Sequence, residues 1–129
     1  MVFDPLRRRY VALTPEERVR QSFVRFLTDA KGYPPALLAN EVSLEAGGRR
    51  LRCDSVLYGR DMQPRMIMEF KAPEVALTQK VFDQIAVYNF LLHVDYLVVS
   101  NGRECYCCRM DYDNKKCLYL KEVPDYERL

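Results

Sequence analysis

The chain has 129 residues, 49% of them hydrophobic and 29% charged, enough to bury one core and too few for two domains. Only five glycines and seven prolines are present, which excludes a low-complexity chain, and no apolar run approaches a membrane span. A net charge of +2 excludes a broadly basic surface, so contact with nucleic acid has to come from local clusters such as Arg7-Arg8-Arg9 and Arg49-Arg50-Arg52, each of which is otherwise a solvated surface.

Residues 1–13 alternate apolar and basic side chains and are expected to form an arm or short strand packed on the body. Thr14-Pro15-Glu16-Glu17 is a helix start, with a capping threonine, proline at the first helical position and acids in the first turn. The helix is expected to run to about Lys31 and end at Gly32, with Val19, Phe23, Phe26, Leu27 and Ala30 as its apolar stripe. A helical wheel built on that stripe places Glu16 at its edge, facing the core side, with Arg20 one turn later, and Glu17 well away from it. Strands are expected at Asn40 to Leu44, at 49–58 after a Gly47-Gly48 turn, and at 65–71, where Ala72-Pro73 stops the run.

A second helix is expected over Thr78 to His93. Val81, Ile85, Tyr88 and Leu92 form its stripe, and Gln84 and Tyr88 point their polar tips toward the sheet. Tyr96 to Ser100 is a continuous apolar strand, Asn101-Gly102 a turn, Glu104 to Met110 its partner and Cys117 to Leu120 a last short strand. The order α-β-β-β-α-β-β reads as an α/β (α+β) domain with a central mixed sheet flanked by helices. The five cysteines are an odd number with no secretory-signal pattern ahead of them, and they read as reduced thiols of a cytoplasmic protein. Cys105 and Cys108 form a C-x-x-C that Cys117 or His93 could extend toward zinc, but the run reads as a strand and no second such pair exists.

The chemistry-bearing stretch is 50–71. Glu69 and Lys71 share a strand face with Ile67, while Met66, Met68 and Phe70 line the other. A strand that is apolar on both faces is an expensive place for an unpaired carboxylate or ammonium. Either Glu69 and Lys71 form a same-face ion pair with Asp54 a solvated turn acid, or Asp54 and Glu69 hold a divalent cation with Lys71 beside it. Arg50 and Arg52 alternate with Asp54 on one face, which suits phosphate contacts leading to the acids.

Pro15-Glu16-Glu17-x-Val19-Arg20-Gln21, Gly32-Tyr33-Pro34, Arg52-x-Asp54, Glu69-x-Lys71-Ala72-Pro73, Gln84-x-x-x-Tyr88-Asn89 and Asn101-Gly102 occur in that order over most of the chain. Together they resemble the PD-(D/E)XK nuclease superfamily, and within it the N-terminal domain of type I restriction enzyme R (HsdR) subunits and its small stand-alone relatives. The resemblance implies a restriction-endonuclease-like fold and Mg²⁺- or Mn²⁺-dependent hydrolysis of DNA. It implies that Asp54 and Glu69 bind the metal, with a first-helix acid, Glu16 or Glu17, completing the site. Lys71 would act as base or electrostatic stabiliser, with Gln84, Tyr88 and Arg20 supporting the site or contacting DNA. It also implies partners beyond DNA, either a second copy or a larger restriction or repair machine. Cys53 stands where the superfamily has its naming proline, and no G-x-x-x-x-G-K-[ST] phosphate loop occurs, so the motor of a restriction subunit is not in this chain.

Overall fold

Residues 1–129 are described by a computed structural model. Strands β1 (Val2–Asp4) and β2 (Arg9–Val11) pair as an antiparallel hairpin ahead of helix α1 (Pro15–Ala30). The remaining elements are β3 (Leu38–Ala46), β4 (Arg49–Tyr58), β5 (Pro64–Phe70), α2 (Gln79–Leu92), β6 (Tyr96–Ser100), β7 (Cys105–Asp111) and β8 (Lys116–Leu120). Six strands form one sheet in the order β3-β4-β5-β6-β7-β8. Every neighbouring pair is antiparallel except β5 and β6, which run parallel because α2 carries the chain back between them. The expected order of helices and strands is present, preceded by the β1–β2 hairpin.

Local chemistry explains the boundaries. Thr14 accepts the Glu17 N–H at 3.1 Å and Thr78 accepts the Val81 N–H at 3.3 Å, so each threonine side chain satisfies an otherwise orphaned donor at its helix start. Gly47 and Gly48 both take positive φ, at 57° and 77°, the conformation that a two-residue turn matching strand twist demands. His93 ends α2 in the left-handed region at φ 57° and stacks on Tyr112 with ring centres 3.8 Å apart.

The sheet is covered on both faces. Met66, Met68 and Phe70 of β5 face α1 and pack with Val19, Leu27 and Tyr33, whereas Ile67 faces α2 and packs with Phe82, Ile85 and Ala86. Each such fully buried side chain contributes about 1.5–3 kcal/mol. Within α1 the buried residues are Glu17, Val19, Arg20 and Leu27, with Phe23 and Val24 half-buried, while Phe26 and Ala30 are exposed. Val19 and Leu27 of the expected stripe are thus buried, and its Phe26–Ala30 edge is turned to solvent in favour of Glu17 and Arg20. Helix α2 is apolar almost all round, so its periodicity did not select an inward face; Phe82, Ile85, Ala86 and Asn89 are buried while Val87, Phe90 and Leu91 are exposed.

Asn89 is fully buried and its amide donates to the Val94 and Tyr96 carbonyls at 3.3 and 2.9 Å, tying α2 to the start of β6. Asn89→Ala is expected to lower unfolding free energy by about 1–3 kcal/mol in a urea titration, because the Tyr96 carbonyl loses the amide donor and the Val94 carbonyl is left with the Tyr112 hydroxyl.

Candidate active site

Strands β4 and β5 pair from Ser55↔Met68 to Tyr58↔Pro64 and part beyond Ser55. Cys53 and Val56, three residues apart, both belong to the α2-side core, so the alternation of β4 breaks between them. At that break Asp54 Oδ2 accepts the Phe70 N–H at 2.8 Å, and Glu69 Oε1 lies 3.4 Å from the Asp54 N–H that it accepts. Each carboxylate thus occupies backbone hydrogen-bonding capacity that the parting strands leave free, and the two acids are brought against each other. Asp54 is about one-third exposed at its side chain, whereas Glu69 is buried. Burial first, and then the charge of Asp54, push the Glu69 carboxyl up to about 9.

Lys71 follows directly, anchored by its N–H on the Ser100 carbonyl at 2.9 Å, and its half-buried side chain forms no salt bridge. The same-face Glu69–Lys71 ion pair is not formed. The arrangement is instead two adjoining carboxylates, one buried and one open to solvent, with a free ammonium beside them. Two hard oxygen donors of this kind fit Mg²⁺ or Mn²⁺, which keep waters and accept substrate oxygens in the remaining positions.

Neither first-helix acid completes the pair, because no cluster of three or more His, Cys, Asp or Glu side chains suited to a metal exists. Glu16 is exposed, which corrects the wheel, and Glu17 is the buried one. The Glu17 carboxylate is committed to Arg7, to Arg20 at 3.1 Å and to Gln21 at 3.3 Å. Arg20 is likewise buried rather than presented to DNA, and its Nη2 lies 3.9 Å from Asp54 Oδ1. Glu17 and Arg20 therefore back Asp54 from behind. Gln84 is exposed and Tyr88 packs against the α2-side core; neither makes a hydrogen bond, so the inward polar pair is corrected as well. Arg50 and Arg52 are exposed on β4 as expected, and Arg52 Nη2 reaches Glu41 at 3.6 Å.

The family model for the type I restriction enzyme R protein N terminus (HSDR_N) matches residues 15–124. The chain belongs to this family. No curated protein matches it. Among solved structures, a fragment of a putative HsdR subunit of a type I restriction enzyme from Vibrio vulnificus YJ016 superposes with a TM-score of 0.61 at 18% identity, covering 93% of this chain. A chain of the DrdV–DNA complex, seen by electron cryomicroscopy, superposes with a TM-score of 0.54 at 21% identity over 83% of this chain. The chain spans 25% of the first and 10% of the second, and both show the shared fold.

Two contributors to the site region escape sequence reasoning. Arg7 sits in a pocket of acids, hydrogen-bonded to Asp4 and Glu17 and 3.2 Å from Glu41. Burial alone would raise the Asp4 carboxyl, but hydrogen bonds from Arg7, Asn40 and the Leu6 amide more than offset this and hold it below the ordinary range. Nothing local distinguishes Arg7 from Arg8 and Arg9. Glu41 takes the left-handed conformation at φ 54°, interrupts the β3–β4 ladder opposite Asp54 and turns its carboxylate toward Arg7, Arg20 and Arg52. Glu17 did carry a signal: a wheel centred on Val24 and Leu27 places it on the buried line. The cysteines form no metal group, and burial pushes the Cys53 and Cys107 thiols up to about 12, which leaves them protonated and inert.

Proposed function

We propose that this chain is a DNA-cleaving module whose Asp54 and Glu69 hold Mg²⁺ or Mn²⁺. The observation that carries the reading is the mutual placement of those carboxylates where β4 and β5 part, each accepting a backbone N–H of the other strand. When bound, such a cation polarises a phosphodiester and lowers the pKa of a coordinated water. Asp54 is held in place by the Phe70 amide on one side and faces Arg20 on the other, so its carboxylate stays oriented. Glu69, buried beside Asp54, keeps its proton in the metal-free protein and becomes a second anionic oxygen donor when a cation displaces that proton. Lys71, free of carboxylate partners, is available to a phosphate oxygen or the attacking water, and Arg52 and Arg50 continue along β4 at about 7 and 13 Å from Asp54 for backbone phosphates.

Family membership supports a restriction-related role, and one structure of similar fold was determined in complex with DNA. This chain spans only a fraction of those proteins, so the proposal is confined to the cleavage site. Purified protein with Mg²⁺ or Mn²⁺ is expected to nick or degrade DNA, and EDTA, Asp54→Ala and Glu69→Ala are each expected to abolish this. Equal activity in the wild type and both variants, or none on double-stranded, single-stranded and branched DNA, rejects the reading.

A further inference from the structure

The pairing β5–β6–β7 sets Glu69 opposite Val99 and Val99 opposite Tyr106, so the three share one row across the sheet. Val99 belongs to the α2-side core and lines a cleft of about 300 Å³ between that sheet face and the start of α2. Phe82, Tyr106 and Tyr119 supply its aromatic surface, with Leu77 and Val81 completing the apolar wall. At two strand spacings, Tyr106 lies ~10 Å from Glu69 across the sheet, within reach of a nucleotide next to a phosphate held at Asp54 and Glu69.

The rings are fixed at their tips and open at their sides. The Tyr106 hydroxyl donates to Glu104 at 2.7 Å, Gln79 Nε2 lies 3.5 Å from the Tyr119 hydroxyl, and Phe82 packs on Tyr119 with ring centres 5.2 Å apart. Tyr106 and Tyr119 remain 38% and 53% exposed, which leaves both rings accessible from the cleft. Six of the eight lining residues are hydrophobic and none carries a charge, so the cleft suits a neutral flat group rather than a phosphate. The free ammonium of Lys71 supplies the charge one strand away. Neutral ring beside anionic linkage is the chemistry of a nucleotide, and a base reaches such a cleft only when it is unpaired.

We infer that the cleft formed by Phe82, Tyr106 and Tyr119 stacks an unpaired nucleobase flanking the cleaved phosphate, making single-stranded or frayed DNA the favoured substrate. This rests on the proposed cleavage site at Asp54 and Glu69. The test reads binding separately from cleavage, in the Asp54→Asn background, with a short single-stranded oligonucleotide carrying 2-aminopurine. Stacking is expected to quench the probe. Tyr106→Ala and Tyr119→Ala are expected to abolish the quench and weaken binding about 5- to 150-fold, the range for loss of one stacked base. Tyr106→Phe and Tyr119→Phe retain both, and a duplex of the same sequence binds more weakly and is indifferent to the substitutions. Both tyrosines are exposed, and melting curves verify that the variants fold.

If the tyrosine-dependent quench is present but wild-type protein never cleaves, the cleft stands and the nuclease reading falls. If wild-type protein cleaves with dependence on Asp54 while the alanine variants bind and quench like the parent, the cleft inference is overturned and the nuclease reading stands. Absence of any oligonucleotide binding, as expected if the cleft instead takes a protein partner, overturns it too.

Discussion

Glu69→Gln is expected to stabilise the metal-free protein above neutral pH while removing DNA cleavage. In the folded chain burial and the neighbouring Asp54 raise the Glu69 carboxyl to about 9, whereas in the unfolded chain it titrates near 4.5. Between those values the folded state keeps a proton that the unfolded state has released. The native form therefore binds more protons, and stability falls as pH rises through this window. Below pH 4.5 the contribution is intact, and above about 9 the loss is complete. The neutral isostere removes this dependence. Its melting temperature at pH 8 should exceed that of the wild type by about 4 °C or more, the equivalent of roughly 1 kcal/mol in a domain of this size.

Millimolar Mg²⁺ or Mn²⁺ should reverse the order. A ligand that binds only the folded state stabilises it in proportion to the logarithm of its concentration over Kd, and the variant lacks one of the two carboxylates. Calorimetry with and without metal across pH 5 to 9 checks both halves. If metal raises the melting temperature of wild type and variant equally, Glu69 is not a ligand.

Arg7→Ala is expected to cost about 3–5 kcal/mol of unfolding free energy, the range for breaking a buried ion pair from one side. Asp4 and Glu17 are almost inaccessible to water; without the guanidinium Asp4 loses its only cation and keeps just the Leu6 amide and Asn40 as donors, while Glu17 is left to Arg20 and Gln21. Arg8→Ala, at an exposed neighbour, should stay within about 0.5 kcal/mol. Acid behaviour separates this from simple loss of packing. The Asp4 carboxyl is held below its ordinary value, so its contribution is present above the unfolded pKa and lost as pH falls through the folded one. The variant should show a shallower fall in stability on acidification, measured by urea titrations from pH 7 down to 3. Arg7→Lys, which keeps a charge but cannot meet several carboxylates at once, should recover only part of the loss. Because Arg7 meets Glu17, Glu17 meets Arg20 and Arg20 lies against Asp54, Arg7→Ala should also lower any cleavage that depends on Asp54, even though Arg7 touches neither candidate ligand.

The elements themselves were legible because their signals are local. Thr14-Pro15 and Thr78 start helices through hydrogen bonds within three residues, Gly47-Gly48 closes a hairpin through its own dihedrals, and the apolar run Tyr96–Ser100 has no stable alternative to a doubly covered strand. The alternation that set Glu69 apart from Met66, Met68 and Phe70 is likewise a property of strand geometry alone. What α2 turns inward was not legible, because a helix nearly apolar all round has no preferred side until a sheet selects one, and Gln84 ended exposed for that reason; in α1 Val19 and Leu27 were legible, but the buried charges Glu17 and Arg20 shift the inward line away from Phe26 and Ala30.

By itself the sequence determined the order of helices and strands, the two-sided burial of β5 and the candidacy of Asp54, Glu69 and Lys71. Only the tertiary structure decided that the acids touch across parting strands, that Lys71 stays unpaired, and that Glu17 rather than Glu16 is buried in an ion network with Arg7 and Arg20. The reason is range: caps, turns and alternation are settled within a few residues, whereas the pairing of buried charges depends on segments 10 to 15 residues apart meeting away from water, where one unmatched charge outweighs any local preference.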